Sequence, residues 1–383
     1  MIKRIKDRLS LPVSRGGRYD TLFLLAVALL AIYGTVMVFS AGYAYAAFRY
    51  DDGLYFVKRQ SIWLIIGVVA MLSVSTVETG IIKKYTTAAY SVTLILLVLT
   101  LAIGLVGNGA QRWISIGPFT IQPSEIAKLT MTMMLAKYFS ENEDAVESKN
   151  KRTVLIKGTV IPCLIMAVPI FLVMLQHHLS CIIILGVIGL MTVVTSGADL
   201  RYVGAFCLAG LLGVSYIAFF TDYTKDRITV WLDPESYKLT GGWQTLQGLM
   251  AIGSGGIFGK GLGKGELKYC YVSEPANDMI FAVLCEELGF VGAVAALALF
   301  ALLIWRGFVI SLEAEDTYSR LLGIGICVKV AVQTLLNVAV VTNTIPNTGI
   351  SLPFFSYGGS SLIMIFAEMG IILSISRRSK IHK

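Results

Sequence analysis

Three carboxylates stand at the start of a long apolar stretch, where acid–base chemistry could take place. Asp278 follows a proline-containing loop, and Glu286 and Glu287 lie deeper in the apolar run. A carboxylate held close to a reacting hydroxyl can act as a general base. Asp278 could equally cap the free N–H groups of a helix start. Because a helix turns about 100° per residue, the two glutamates do not share one face with Asp278, and carboxylates inside an apolar helix are expected to pair with cations.

A second polar cluster, NGAQRWISIGPFTIQPSEIAKLT, leads into another apolar run. Glu125 and Lys128 have the i, i+3 spacing that allows pairing on one helix face, and Ser124 lies one helical turn from Lys128. The pair could be an internal salt bridge, or its cation could face a polar cavity that binds an anionic lipid head group. Arg112 lies just before this helix, where a diphosphate could be bound.

Two further segments have irregular composition. The segment NTIPNTGISLPFFSYGGSS, residues 343–361, is uncharged and contains prolines and glycines between two apolar runs. Irregular backbone near a membrane must be buried in protein or line a watery cavity. The long segment at about 222–277 contains the glycine-rich run AIGSGGIFGKGLGKG, which lacks the G-x-x-x-x-G-K-[ST] pattern of a nucleotide-binding loop. Polar and irregular segments of both halves of the chain therefore predict a shared cavity.

The elements that must position these residues are transmembrane helices. Of the 383 residues, 56% are hydrophobic and 15% are charged, and the mean hydropathy is +0.74. Uninterrupted apolar runs of about 20 residues match the thickness of a bilayer core. The sequence predicts an all-α polytopic membrane protein with about ten transmembrane helices. The predicted spans are 20–40, 60–78, 87–106, 122–139, 158–176, 180–197, 202–221, 278–305, 321–343 and 357–376.

Lysine and arginine residues predict the orientation of the spans. The segment 1–19 is basic, and so is the end of the chain, which predicts that both termini are cytoplasmic. Residues 20–378 then form a single membrane domain, with a large extracellular loop at about 222–277 and a short tail at 379–383. The net charge of +8 follows from this bias and requires no nucleic-acid partner.

At these motifs the sequence resembles the SEDS family, the FtsW, RodA and SpoVE proteins of shape, elongation, division and sporulation. Four stretches carry the resemblance, in order along the chain, and its tail looks more like FtsW or SpoVE than RodA. The stretches are RWISIGPFTIQPSEIAKL, GGWQTLQGLMAIGSGGIFGKGLGKG, DMIFAVLCEELGFVG and TGISLPFFSYGGSSL.

The resemblance implies an enzyme of the bacterial cytoplasmic membrane that polymerises lipid II into peptidoglycan on the extracellular side. Asp278 would be the general base of an inverting glycosyl transfer that releases undecaprenyl pyrophosphate, in cell division or related wall synthesis. The implied partners are the growing lipid-linked strand, a class B penicillin-binding protein and other divisome or elongasome membrane proteins. A divalent cation, Mg or Mn, is a possible cofactor. The implied substrate-binding residues are Glu125, Lys128, Arg112, Ser124, Lys268, Gln244, Ser356, Tyr357 and Gly358, with Arg227 a further candidate near the leaving group.

The chain departs from the family pattern before Asp278, where it reads Val272-Ser273-Glu274-Pro275, and after the fifth span, where His178 replaces an acidic residue. These departures concern acceptor binding and leave Asp278 in place. Three alternatives remain open. They are a lipid II flippase, a non-catalytic scaffold for the transpeptidase, and a generic ion-coupled transporter.

Overall fold

The protein is nearly all helical, as the apolar runs predict. The computed structural model describes residues 17, 19–107, 110–116, 119–146, 148, 150–206, 208, 210, 213, 222–239, 241–266, 268–269 and 275–378. The helices are α1 (Thr21–Tyr50), α2 (Tyr55–Thr76), α3 (Thr79–Ile103), α4 (Pro123–Glu141), α5 (Glu143–Val146), α6 (Lys151–Leu155), α7 (Ile161–Leu175), α8 (Leu179–Thr195), α9 (Asp222–Leu232), α10 (Gly242–Gly255), α11 (Ile280–Leu312), α12 (Thr317–Val341) and α13 (Gly359–Arg378). A π-helical segment, Ile156–Val160, joins α6 to α7.

Seven helical segments within the described residues are long and apolar enough to cross a membrane. They are α1, α2, α3, the continuous segment from α6 to α7, α11, α12 and α13. The more polar α4 and the shorter α8 pack among them. The predicted span at 202–221 lies largely outside the described residues, although residues 200–206 are helical. The count of ten spans stays a prediction.

Several predicted boundaries need correction. The first helix continues to Tyr50 rather than ending near residue 40, and α11 continues to Leu312 rather than 305. The region predicted as one long loop at 222–277 contains helices α9 and α10. Runs of weakly polar residues such as alanine, tyrosine and glycine extend a helix past the apolar core without marking an end.

A small antiparallel sheet between α3 and α4 is the exception to the all-helical prediction. Its strands are β1 (Leu105–Gly107), β2 (Ala110–Ile116) and β3 (Phe119–Ile121), in the order β1-β2-β3. The sequence RWISI of β2 contains a tryptophan and two isoleucines, and aromatic and β-branched residues are enriched in strands. This sheet carries Arg112 towards the start of α4.

Close helix packing in the bundle depends on small residues at two contacts between α2 and α13. A methyl group at Gly370 would meet the backbone oxygen of Met71 at 2.5 Å, and one at Gly67 would meet the ring of Phe366 at 2.8 Å. Small residues let membrane helices approach closely where lipid gives no hydrophobic driving force. This packing holds the start of α2 beside the start of α13.

Helix α11 is interrupted at Gly289, whose φ of +65° is incompatible with a continuous right-handed helix. The glycine-rich segment after α10 docks into this break, so that backbone groups freed by the break find partners there. Four hydrogen bonds join the two segments: Lys260 N to Glu286 O (3.0 Å), Gly261 N to Glu287 O (2.9 Å), Phe290 N to Gly256 O (2.9 Å) and Val291 N to Ile257 O (3.1 Å). The run of glycines thus serves a structural contact with α11.

We expect Gly289→Ala to destabilise the protein, because an alanine at positive φ is strained and its methyl group would lie 2.3 Å from Gly259 N. Backbone strain of this kind costs about 1–3 kcal/mol before the clash is added. The measurement is the thermal unfolding midpoint of the detergent-solubilised protein. Gly186→Ala is the matched control, since a methyl group there meets nothing within 4 Å and alanine favours a helix. Equal midpoints for the two variants would contradict the assigned role of the break.

Candidate active site

A polar cavity of about 500 Å³ opens where α2, α4, α8, α11 and α13 begin and where α12 ends. Its wall comes from β2, α9, α10 and the loop between α12 and α13 as well as from these helix ends. The charged residues that line it are Arg59, Arg112, Glu125, Lys128, Arg227 and Asp278. Polar and apolar segments that are far apart in the sequence therefore form one pocket, as the irregular segments predict.

Asp278 lies in the wall of the cavity, two residues before α11 begins. Its backbone carbonyl accepts a hydrogen bond from Asn337 Nδ2 at 3.0 Å, and the same amide donates to Ile350 O at 2.6 Å. Gly349 passes close to the carboxylate with a φ of +69°, and a methyl group there would lie 3.3 Å from Asp278 Oδ2. A glycine at this position allows the loop to approach the carboxylate.

The loop between α12 and α13 also holds the residues before Asp278. Ser356 Oγ donates to Asn277 O at 2.8 Å, and Tyr357 N donates to Ala276 O at 2.8 Å. Such a double contact restrains the carboxylate's backbone from two sides. The geometry of the candidate base therefore depends on the FFSYGG segment, which the sequence singles out for its irregular composition.

Glu125 and Lys128 form the predicted pair on α4, with Lys128 Nζ 2.6 Å from Glu125 Oε1. Both side chains are buried, and both reach the cavity. Lys128 Nζ also donates to Gln333 Oε1 at 3.3 Å, and Gln333 in turn donates to the backbone oxygen of Ser351 at 3.1 Å. The predicted pairing is confirmed. Lys128 both forms the salt bridge with Glu125 and lines the cavity.

Three arginines make the cavity positively charged overall. Arg112 Nη2 donates to His177 O at 2.5 Å, Arg227 Nη1 donates to Asn347 O, and Arg59 lies 4.7 Å from the ring centre of Tyr55. The Lys128–Glu125 pair is neutral, so the arginines outweigh Asp278. Guanidinium groups present several donors in a fixed plane that matches phosphate oxygens. The cavity therefore suits a ligand that carries a diphosphate.

The structure brings most of the predicted site residues together. Asp278, Glu125, Lys128, Arg112, Gln244, Tyr357 and Gly358 all line the cavity. Two serines lie behind its wall. Ser124 is buried, with its hydroxyl 3.5 Å from His178 Nδ1. The Ser356 hydroxyl accepts a hydrogen bond from Leu352 N and donates one to Asn277 O. These serines are supporting residues rather than surfaces of the pocket.

Lys268 is not brought to the cavity, which corrects its assignment as a substrate-binding residue. Its ammonium lies 2.5 Å from Glu287 Oε1 and 3.1 Å from Ser40 Oγ, and the side chain is buried. Glu286 is paired in the same region with Lys260 at 3.0 Å. The expectation that the two glutamates pair structurally is confirmed, because Glu286 binds Lys260 of the glycine-rich run and Glu287 binds Lys268, which follows that run.

Removing the cation of Lys268 should destabilise the protein, since Lys268→Met leaves the fully buried carboxylate of Glu287 without its lysine. Breaking a buried pair in this way costs about 3–5 kcal/mol. Lys58→Met is the control, because Lys58 pairs with Asp52 at 2.8 Å on the surface, where such pairs contribute about 0–1 kcal/mol. Thermal unfolding checks both variants. A Lys268→Met variant as stable as the Lys58→Met variant would contradict the structural role.

Sequence reasoning missed Arg59 and Trp63 of α2 as lining residues. Their i, i+4 spacing places them on one helix face, and this spacing was the available signal. Gly359 lies against that face, since a methyl group there would meet the indole of Trp63 at 2.4 Å. Helix α2 thus contributes both a cation and an aromatic surface beside the start of α13.

His178, where the family resemblance implies an acidic residue, is buried in the turn between α7 and α8. Burial, and next the positive charges of Arg112 and Lys128, lower the pKa of the His178 imidazole. The ring is therefore neutral at physiological pH. A neutral His178 adds no charge to the wall of the cavity.

No group of three or more His, Cys, Asp and Glu side chains that could hold a metal ion occurs among the described ranges. The two carboxylates that line the cavity are Asp278 and Glu125, and Glu125 is committed to Lys128. These residues do not form a protein-only site for Mg or Mn. The divalent cation stays a prediction.

Comparison with known proteins gives consistent matches over almost the entire chain. The family model for the FtsW, RodA and SpoVE cell cycle proteins matches residues 20–381. Stage V sporulation protein E of Bacillus subtilis (strain 168) is 38% identical, with 94% of this chain and 98% of that protein covered. A probable peptidoglycan glycosyltransferase FtsW of Geobacter sp. (strain M18) is 35% identical, with coverage of 94% and 98%.

Two solved structures share the fold. One is of a peptidoglycan synthase complex that coordinates polymerization and crosslinking; it has a TM-score of 0.77 and 28% identity over 94% of this chain and 98% of that one. The other is the rod shape determining protein RodA of Thermus thermophilus, with a TM-score of 0.70 and 27% identity over 94% and 98%. The helical arrangement described above is therefore that of known membrane proteins.

Proposed function

The chain belongs to the FtsW, RodA and SpoVE family of multi-pass membrane proteins, and on this basis we propose that it is a peptidoglycan glycosyltransferase that polymerises lipid II. The names of the FtsW relatives support an enzyme of this class. The observation that carries the proposal is the cavity, in which Asp278 faces a set of cations that suits a diphosphate. A base and a diphosphate site are the two groups that this glycosyl transfer requires.

In the proposed reaction Asp278 accepts the proton of the sugar 4-hydroxyl of the acceptor lipid II. The hydroxyl oxygen forms a bond to the anomeric carbon of the lipid-linked donor strand. The bond between that carbon and the diphosphate oxygen breaks, and undecaprenyl diphosphate leaves with the electron pair. Attack from the face opposite the leaving group inverts the anomeric centre. Lys128, Arg112 and Arg227 stabilise the charge that develops on the diphosphate.

We place the cavity on the extracellular side, where the sugars of lipid II are exposed. The distribution of basic residues supports this orientation, because short connections at the cytoplasmic side are rich in lysine and arginine. Near the cavity, the short connections and adjoining helix ends carry Arg49, Lys58, Arg59 and Arg112. The opposite end carries Lys83, Lys84, Lys137, Lys151, Arg152, Lys157, Arg201, Arg320, Arg377 and Arg378.

A transpeptidase partner is part of the proposal. The structural neighbour with a TM-score of 0.77 comes from a complex that coordinates polymerization and crosslinking. A chain that only polymerises glycan needs a second protein to crosslink its product. We assign this role to a class B penicillin-binding protein, and purified material should contain it so that a requirement for the partner does not mask activity.

The test is glycan-strand formation by the wild-type complex in sealed proteoliposomes that carry lipid II in the outer leaflet. Long strands resolved on a gel support the polymerase. A lipid II flippase is the second candidate, since buried charges at Glu125, Lys128, Lys329 and Glu368 continue from the cavity into the bundle. Translocation of labelled lipid II without strands would favour the flippase. Neither activity would favour a scaffold and contradict the proposed enzyme.

A further inference from the structure

A chain of four buried charges runs from the cavity into the bundle, and two of its members lie outside the proposed machinery. Lys128 pairs with Glu125 at 2.6 Å, Lys329 Nζ lies 3.8 Å from Glu125 Oε2, and the same Nζ lies 2.6 Å from Glu368 Oε1. The four side chains are between 0% and 7% exposed. Their charges alternate in sign along three helices, α4, α12 and α13.

Glu125 stands between two cations and meets them with different oxygens. Its Oε1 accepts from Lys128, whereas Oε2, which has no hydrogen-bond partner in the described part of the chain, faces Lys329 at the longer distance. A second, polar cavity of about 10 Å³ adjoins this carboxylate and is lined by Lys329, Gln333 and Ser351, among others. That volume is about the size of one water molecule. The Glu125 carboxylate therefore has room to rotate slightly within polar surroundings.

Under the proposed function, the ammonium group of Lys128 has two roles. It neutralises Glu125 in the buried wall, and it faces the cavity in which a diphosphate would carry its growing negative charge. A carboxylate that loses its cation in a low dielectric is strongly disfavoured. Glu125 therefore needs another cation at the moment when Lys128 turns to the leaving group, and the geometry places Lys329 there.

We infer that Lys329 and Glu368 are positioning residues for the cation of the active-site cavity. Lys329 receives the carboxylate of Glu125 as Lys128 moves to the diphosphate of the lipid-linked donor. Glu368 holds Lys329 in place and keeps the chain neutral. The inference rests on the proposed function and adds to it a second pair of charged residues that never touches substrate.

The test compares two double variants in the complex with the class B penicillin-binding protein, with lipid II as substrate. Lys329→Met with Glu368→Met removes the pair and keeps apolar side chains of similar length; such replacements of buried pairs are often neutral or stabilising. Lys329→Glu with Glu368→Lys keeps the pair but reverses it, which puts a carboxylate beside Glu125 Oε2. A merely structural pair would tolerate the reversal.

We expect the apolar double variant to lower kcat by about 10- to 100-fold. This is the range seen when residues that orient the ligands of a metal site are replaced. KM should change little, because the charge on the leaving group grows in the transition state. The reversed variant should lose at least as much, and Lys329→Arg, which keeps the cation, should lose less than the apolar variant. Wild-type kcat and KM in the apolar variant, or restored activity in the reversed one, would overturn the inference.

Controls separate the possible failures. Arg306→Met with Asp20→Asn breaks another buried pair, with Nη2 and Oδ2 2.7 Å apart, and should leave kcat per folded molecule unchanged. Thermal unfolding is measured for every variant, and an apolar double variant that does not fold would assign the pair a structural role and contradict the inference. If the wild type forms strands and the apolar variant forms them at the same rate, this inference alone is overturned. No strands from wild type would overturn the proposed function and this inference together.

Discussion

Replacing Asp278 with asparagine is expected to lower kcat for glycan polymerisation by about 10²–10⁴-fold, the usual contribution of a general base. Asparagine keeps the size of the side chain and can still cap a helix, but it cannot accept the proton. The backbone of residue 278 is held by Asn337 and by the loop that contains Ser356, and these contacts do not involve the carboxylate. The variant should therefore fold, and the rate of strand formation per folded complex is the measurement.

Asp233→Asn is the control for this variant. Asp233 is exposed and accepts hydrogen bonds from Ser236, on the segment between α9 and α10. Asp233 does not line the cavity, so the change should leave kcat within experimental error. Comparable rates for Asp278→Asn and Asp233→Asn would rule out Asp278 as the general base.

Replacing Lys128 with methionine is expected to lower kcat by about 10²–10³-fold, as when one preorganised group that stabilises developing charge is removed elsewhere. The loss arises because Lys128 is the cation of the cavity that lies deepest in the bundle, with a side chain only 2% exposed. A desolvated cation acts more strongly on a nearby anion than one in water. Single-turnover rates with saturating lipid II report this step.

Lys137→Met provides a matched control on the same helix. Lys137 lies near the other end of α4, where it donates to Thr87 Oγ1 at 2.8 Å on the surface. Its loss removes the same charge far from the cavity and should leave the rate unchanged. Lys128→Met leaves Glu125 with Lys329 as a neighbour at 3.8 Å, and because breaking a buried pair is destabilising, rates are compared per folded complex. Equal rates for the two methionine variants would exclude Lys128 as a cation that stabilises the leaving diphosphate.

The extent to which the sequence predicts this molecule differs between elements. Long apolar runs predict α1, α2, α11 and α12, because the bilayer imposes both length and composition on a span. The sheet of β1 to β3 escapes such reasoning, since its strands are too short to show a clear period. The break at Gly289 also escapes it, because its cause is a segment that docks from elsewhere in the chain.

Site residues divide in the same way. Glu125 and Lys128 are predictable as a pair because both lie on one helix, where spacing defines contact. Lys268 is predicted for the cavity and lies elsewhere, because its partner Glu287 is reached only when the glycine-rich segment fills the break in α11. The contact of Lys329 with Glu368 joins α12 to α13 across the loop between them. Pairing between two elements depends on tertiary packing, which periodicity does not specify.

If Asp278 acts in catalysis rather than in binding, its replacement lowers the turnover of lipid II and leaves the affinity for lipid II unchanged. Lipid II affinity and lipid II turnover are measured on the same preparations of the wild-type and Asp278→Asn complexes. We expect nearly equal affinity for lipid II in the two complexes and a loss of turnover only in Asp278→Asn. Turnover retained by Asp278→Asn, or affinity and turnover lost in parallel, would contradict the assignment of Asp278 as the general base.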